Sequence, residues 1–245
     1  MKIRISLLLA LTLALSGCGQ AESTEDTWSD AVRIEFSDDS VTVDGNAASA
    51  DSAVYTENDI IFYLEGQGVT YGEGTEADAH SQAEADAHTV VHITQPGTYV
   101  LSGELSAGQI AVDLGEGAET DPEAVVTLVL DGVDITCTVA PAVMFYRVYE
   151  CGSTDGDAAS WEVDTSAAGA NIMIADGTEN TIRGSYVARI YDPESVTLSE
   201  DGTEVEDAKK LHKYDGAFYS RMSMNVSGGA AGTGVLNIYG ENEGL

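Results

Sequence analysis

Val125–Thr136 reads VVTLVLDGVDIT, and the reading of this stretch decides the fold. Leu128 and Leu130 alternate with Thr127 and Val129, the period of two expected of a strand with one buried face. Asp131-Gly132 then interrupts the strand. Asp can bond its own backbone and Gly tolerates a left-handed conformation, so this pair predicts a sharp turn. Val133 and Ile135 resume alternation around Asp134. Strand, bend, strand is one side of a coil that stacks on copies of itself.

Two further stretches look like copies. Ile172–Ile182 reads IMIADGTENTI, with Asp176-Gly177 at its bend, and Val235–Gly240 reads VLNIYG. The intervals from Gly132 to Gly177 and from Gly177 to Gly240 lie near multiples of about 21 to 23 residues, the length of three short strands plus turns. A β-sandwich would also supply short strands with Gly-rich turns, though without a preferred repeat length.

Glycine, 26 of 245 residues, is in excess and proline numbers only 4. With no long helical periodicity, this favours an all-β chain with many glycine turns. The formal net charge is −32. Such a surface repels nucleic acid and anionic lipid, so neither is an expected partner. The acids either keep a secreted surface soluble or hold calcium, which prefers carboxylate oxygens.

From the start, Lys2 and Arg4 precede an apolar run, Ile5–Leu15, that is too short to span a membrane. Leu15-Ser16-Gly17-Cys18 looks like a bacterial lipobox. Residues 1–18 therefore read as a lipoprotein signal, with Cys18 the lipidated residue and the lipid the only membrane anchor, on the extracellular face. Residues 19–32 read as a flexible tether. Residues 33–88 read as N-terminal strands or a cap. Within them RIEFSDDSVTVDG (Arg33–Gly45) gives two strands around Ser37–Ser40, and Ile60–Leu64 is a further apolar run. An acidic Ala-rich insert follows, with a tandem that places His80 and His88 eight apart. It is either a metal pair on a helix or a low-complexity loop.

Residues 89–245 read as the main domain, punctuated by Pro96-Gly97 and Ser102-Gly103. Ala142–Val148 is another expected strand. Glu150–Gly169 and Asp192–Tyr214 interrupt the repeats, and insertions of this kind bulge from a stack and often carry a binding site. Cys137 and Cys151 either pair in an oxidising exterior or remain free thiols; their spacing argues against zinc. The chain stops at Leu245, directly after the third copy and without a visible polar cap, which reads as a C-terminal truncation of a longer protein.

The motifs ITQPGTYVLSGEL (Ile93–Leu105), GQIAVD (Gly108–Asp113), VTLVLDGVDIT (Val126–Thr136), GTENTI (Gly177–Ile182), DGAFYS (Asp215–Ser220) and GTGVLNIYG (Gly232–Gly240) together resemble the bacterial, chiefly clostridial, carbohydrate-binding domain-containing lipoproteins. The resemblance implies a right-handed parallel β-helix like that of polysaccharide lyases. It also implies binding of cellulose-type or acidic, pectin-type polysaccharide, with bound calcium. The inserts and the abrupt end depart from the family pattern.

Candidate residues follow. Asp131, Asp134 and Asp176 at the bends would line up on stacked coils as calcium ligands, with Asp113 and Asp215 as secondary candidates. The competing reading is that each Asp simply shapes its turn. Past the leader only Arg33 lies early; every other basic residue falls between Arg147 and Arg221. Arg147, Arg189 and Arg221 suit uronate carboxylates. Tyr149, Trp161, Tyr191 and Tyr219 suit stacking against sugar faces. The expected function is non-catalytic binding at the cell surface. The alternatives are a calcium-dependent lyase with Arg or Lys as base, or a protein-interaction module. No close acid pair of the glycosidase type is visible.

Overall fold

The computed structural model describes residues 28–66, 68, 71, 74–152 and 163–245. Residues 1–27, Cys18 among them, and Trp161 lie outside the described residues. In chain order the strands are β1 (Val32–Ser37), β2 (Ser40–Val43), β3 (Asn46–Ala47), β4 (Val54–Glu57), β5 (Thr89–Ile93), β6 (Gly97–Leu105), β7 (Gly108–Asp113), β8 (Val126–Thr136) and β9 (Val143–Arg147). They continue as β10 (Ala170–Ile174), β11 (Glu179–Gly184), β12 (Val187–Tyr191), β13 (Thr197–Leu198), β14 (Val205–Asp207), β15 (Lys210–Tyr214), β16 (Phe218–Ser220), β17 (Met224–Gly228) and β18 (Val235–Gly240). One short helix, α1 (Gln82–Asp86), precedes β5.

The protein is all-β. A nine-stranded sheet and a five-stranded sheet carry the architecture, beside two two-stranded ribbons. Three parallel ladders run through the two large sheets. The first is β1–β6–β8–β10–β17. The second joins the far ends of β6 and β8 to β11 and β18. The third is β5–β7–β9–β16, with β4 antiparallel on its edge. From β5 onward the chain visits the third, first and second ladders in that order and then repeats the cycle. Parallel neighbours need such long crossovers, since a hairpin cannot join them. The described sheets do not close into a complete solenoid. Antiparallel pairs β1–β2, β2–β3, β12–β15 and β13–β14 also depart from a purely parallel coil.

Register explains the core. Tyr99, Leu128 and Ile172 are ladder partners, as are Leu105, Ile135 and Ile182. Val91, Ile110, Val143 and Phe218 form a third row, and Ile93, Val112 and Phe145 a fourth. All of these are buried in one cluster. Period-two alternation puts like side chains on one face, and in-register parallel pairing stacks them on the next strand. Each such side chain contributes about 1.5–3 kcal/mol by leaving water. Val100 and Val129 are buried on the opposite face, packed with Ala175 and partly covered by Trp28, Ala31 and Met173.

The bend in β8 falls where Asp131-Gly132 predicts it. Gly132 has φ +81°, a left-handed value suited to glycine. Leu101 pairs with Leu130 but Gly103 pairs with Val133, so β8 carries one extra residue there, a bulge that sharpens the turn. The fully buried Asn180 closes it from the neighbouring strand. Its Oδ1 accepts from the Gly132 and Val133 amides at 2.9 and 3.0 Å, and its Nδ2 donates to Thr178 Oγ1 and the Val235 carbonyl at 2.9 and 3.1 Å.

Two expectations about the copies are corrected. Ile172 pairs directly with Leu128, so the Gly132–Gly177 interval is a single step between neighbouring strands, not two steps of about 21 to 23 residues. Loops lengthen freely between rungs, because closing a longer loop costs little extra. VLNIYG is β18, which pairs with β11 beyond the bend; the partner of IMI is β17. The Ile60–Leu64 run forms no strand: it makes one isolated bridge, Leu64 to His80, and packs Ile60 and Phe62 into the main core. Cys137 and Cys151 are free thiols, not a pair.

Candidate functional site

The third ladder places the chemistry. Between the pairs Val112–Phe145 and Asp113–Arg147 the register slips by one, leaving Tyr146 as the extra residue of β9. Bulges of this kind re-aim side chains beside functional sites. The slip sets Arg147 against Asp113, whose carboxylate accepts from Nε and an Nη, each at 2.6 Å. Burial raises the Asp113 pKa, but the hydrogen bonds from Arg147 and the Gly115 amide and the Arg147 charge outweigh it and leave it below the ordinary value.

Tyr146 then meets residues from two other strands. Tyr214 of β15 lies edge-on to Tyr146 with centroids 6.5 Å apart, and edge-on to Tyr219 of β16 at 4.9 Å. The Arg221 guanidinium sits 5.0 Å above the Tyr146 ring and that of Arg147 at 5.6 Å, both within cation–π range. His212 Nδ1 is 2.8 Å from the Tyr214 hydroxyl. Burial, aided by the Arg221 charge, holds the His212 pKa below its ordinary value, so the ring is neutral at pH 7. Burial pushes the Tyr214 and Tyr219 hydroxyls up, so both keep their protons and can donate.

Tyr146, His212, Tyr214, Tyr219 and Arg221, with Lys210 and Lys213, line a cavity of about 280 Å³, and Arg147 stands beside it over the Tyr146 ring. Arg221 is held only loosely by Glu119 at 3.9 Å, while Lys213 pairs with Asp215 at 2.8 Å. Lys210 has no carboxylate partner among the described residues. The cavity therefore offers aromatic faces, phenolic donors and cationic groups on a chain of net charge −32. Tyr191 pairs with Lys210 across β12–β15, and beside them Arg189, Glu206 and Asp207 help line a second cavity of about 370 Å³. A larger cavity of about 750 Å³ is lined by Tyr63, Glu65 and Glu76 among others and by no cation among the described residues.

Of the expected sugar-binding residues, the fold thus brings Arg147, Tyr219 and Arg221 together and sets Arg189 and Tyr191 next to them. Tyr191 is 5% exposed, so little of its ring is left for stacking. Tyr149 lies outside both cavities; its amide and carbonyl bond Ala124 and Gly169. Tyr214 and His212 were missed. Their signal is the alternation in KLHKY, which puts Lys210, His212 and Tyr214 on one side of β15.

Four of the five aspartates expected to hold calcium are engaged by other groups. Asp134 bonds Arg183 at 2.6 Å, Asp215 bonds Lys213, and Asp113 is taken by Arg147. Both Asp176 oxygens are committed to the next loop, accepting from the Ala231 and Thr233 amides at 2.8 and 3.0 Å. Asp131 stands without any of the others: no set of three acids, histidines or cysteines drawn from these five comes together among the described residues. The bends do not superpose, because Leu130 is level with Ile174, which puts Asp176 one residue further along than Asp131. Nor do His80 and His88 form a metal pair. His88 is buried, with Nδ1 2.9 Å from the Glu84 carbonyl and Nε2 accepting from the Thr138 amide at 3.1 Å.

Residues 87–203 match the model of a family described as carbohydrate-binding domain-containing protein. That span includes Tyr146, Arg147 and Arg189 and ends before Tyr214. A carbohydrate-binding domain-containing protein of Acetivibrio thermocellus is 32% identical over 104 residues, 42% of this chain and 28% of the relative. The chain thus spans little more than a quarter of that relative's length. No solved structure matches. The central part of the chain is similar to carbohydrate-binding domain-containing proteins.

Proposed function

We propose that this protein binds a carboxylated polysaccharide in the Tyr146–Tyr214–Tyr219 cavity, without catalysing a reaction on it. The observation that carries the reading is Arg221, loosely held and 5.0 Å above the Tyr146 ring, at a cavity walled by two more tyrosines. A sugar ring lays its C–H face on an aromatic ring. Arg221 and Lys210 then meet a uronate carboxylate, Arg in two-point fashion. The similarity to carbohydrate-binding proteins supports the ligand class. Arg147 is the least suited to act as a lyase base, since Asp113 holds it at two points and keeps it protonated. No calcium is assigned to the five aspartates, four of which are engaged by other groups.

The larger setting belongs to the same proposal. Three parallel ladders visited in a fixed cycle support a parallel β-helix. The lipobox-like stretch ending at Cys18 supports a lipid-anchored protein on the outer face of the membrane, where such polymers are met.

Affinity electrophoresis tests the binding. Retardation is expected in gels containing polygalacturonate, to persist with chelator, and to fall at least about tenfold in Arg221→Ala and Tyr219→Ala. Equal mobility with and without both polygalacturonate and a soluble cellulose derivative would refute it. Unsaturated uronide absorbance on incubation would overturn the non-catalytic reading.

A further inference from the structure

A second cluster lies at the other edge of the five-stranded sheet, and nothing in the binding reading uses it. Tyr55 of β4 and His92 of β5 are direct antiparallel partners, and their rings stack with centroids 4.6 Å apart and planes 10° apart. This fixes the imidazole on the outer side of the sheet. Two residues past Tyr55 comes Glu57, the last of β4, and two further on is Asp59. Spacing of two returns both carboxylates toward the same side. Asn58, between them, donates to the Asp86 carbonyl at 2.7 Å and so ties this segment to the end of α1. His92 Nε2 lies 2.8 Å from Asp59 Oδ1, and one ligand atom from each of Glu57, Asp59 and His92 falls within 4.8 Å of the others. This is the one such triad among the described residues.

We infer that Glu57, Asp59 and His92 form a site for a single divalent cation of the zinc class. One imidazole nitrogen with two carboxylates is a borderline donor set, which suits zinc, cobalt or nickel better than calcium, whose sites are built from six to eight oxygens. Three protein ligands leave a position for water. Ligands at about 2.0–2.2 Å from such an ion must approach each other more closely than the widest separation here. The adjustment falls on the two carboxylates, both on exposed residues, while the imidazole is already held. Asp113, the next carboxylate along the sheet on the His92 side, is neutralised by Arg147, so the two carboxylates of the triad itself supply the negative charge. A bound ion would clamp the Glu57–Asp59 segment onto β5 and secure the antiparallel edge of the sheet. The site does not depend on the polysaccharide reading.

The test is a Co²⁺ titration of the chelator-stripped full chain, followed by visible absorption and by the histidine ring resonances. One equivalent is expected to bind, to shift the His92 ring among the four histidines, and to be displaced by Zn²⁺. Glu57→Gln and His92→Gln should each weaken binding by at least about tenfold. Glu57 is exposed, so its variant keeps the parent's circular dichroism and metal-free melting temperature, which separates lost ligation from lost folding. Absence of saturable binding, a shift at His80, His88 or His212 in place of His92, or unchanged affinity in Glu57→Gln would each overturn the assignment.

Discussion

Replacing Asn180 by alanine is the sharpest test of how the ladders hold together. The side chain is fully buried and makes four hydrogen bonds, two on each side. Alanine removes all four. On one side it strips the Gly132 and Val133 amides, which form the bend of β8, of their acceptor. Val133 is buried, and an unsatisfied buried donor costs about 1–3 kcal/mol, whereas Gly132 is exposed and its amide can turn to water. On the other side the Val235 carbonyl and Thr178 hydroxyl lose a donor, but both have routes to solvent or to other partners, and Thr178 already donates to the Ala175 carbonyl at 2.8 Å. The sum is about 3 kcal/mol, dominated by the bend. With a urea dependence of about 3 kcal/mol per molar, the unfolding midpoint falls by about 1 M with the slope unchanged. Hydrogen exchange gives a local readout: the Gly132 and Val133 amides lose protection before the rest of β8 does. Thr178→Val removes only one of the four partners and should cost about 1 kcal/mol. A midpoint shift below about 0.2 M in Asn180→Ala, or protected Gly132 and Val133 amides, would refute the assignment of Asn180 as the closure of the bend.

Arg147→Met leaves a partly buried Asp113 carboxylate without its partner and should cost about 1–2 kcal/mol in urea unfolding. Because the folded pKa of Asp113 is depressed, the pair's contribution is complete above the unfolded pKa and is lost as pH falls through the folded value. The acid limb of the stability profile, below about pH 4, should therefore be shallower in the Met variant than in the parent. Burial pushes the Cys137 thiol pKa up to about 12, so with Cys18 replaced by Ser, a thiol reagent at pH 8 should titrate Cys151 promptly and Cys137 only on unfolding. Prompt reaction of both would contradict the packing of the loop after β8.

The strand content was largely legible because it rests on local signals. The β1–β2 hairpin turns at Ser37–Ser40 where RIEFSDDSVTV places it, and the β8 bend sits at Asp131-Gly132. Register between rungs was not legible, because it depends on loops of unequal length; hence VLNIYG was matched to IMI when its neighbour is β11. The same limit applies to the aspartates expected to hold calcium. Whether an aspartate is free or paired depends on its partner, and Arg183 for Asp134 or the Thr233 amide for Asp176 lies some fifty residues away. The cationic, tyrosine-rich half of the chain was visible as a composition. Its assembly was not, because Tyr214 and His212 reach the site through β15, within a stretch that reads as an interruption. Asn180 sits in the motif GTENTI, but nothing local marks one asparagine as a four-bonded closure.

The ladders carry a last consequence for how the molecule opens. Within the parallel ladders each inner strand is flanked by strands that are not its neighbours in the chain, and side chains such as Asn180, Asp176 and Glu150 reach across to bond the following rung. Contacts of this kind are nearest-neighbour only, so stability propagates along the stack like the links of a one-dimensional lattice. Opening then behaves as fraying: detaching β18 bares β11, and only afterwards does β8 lose its cover on that side. Amide exchange should accordingly be fastest in β18, slower in β11 and slowest in β8.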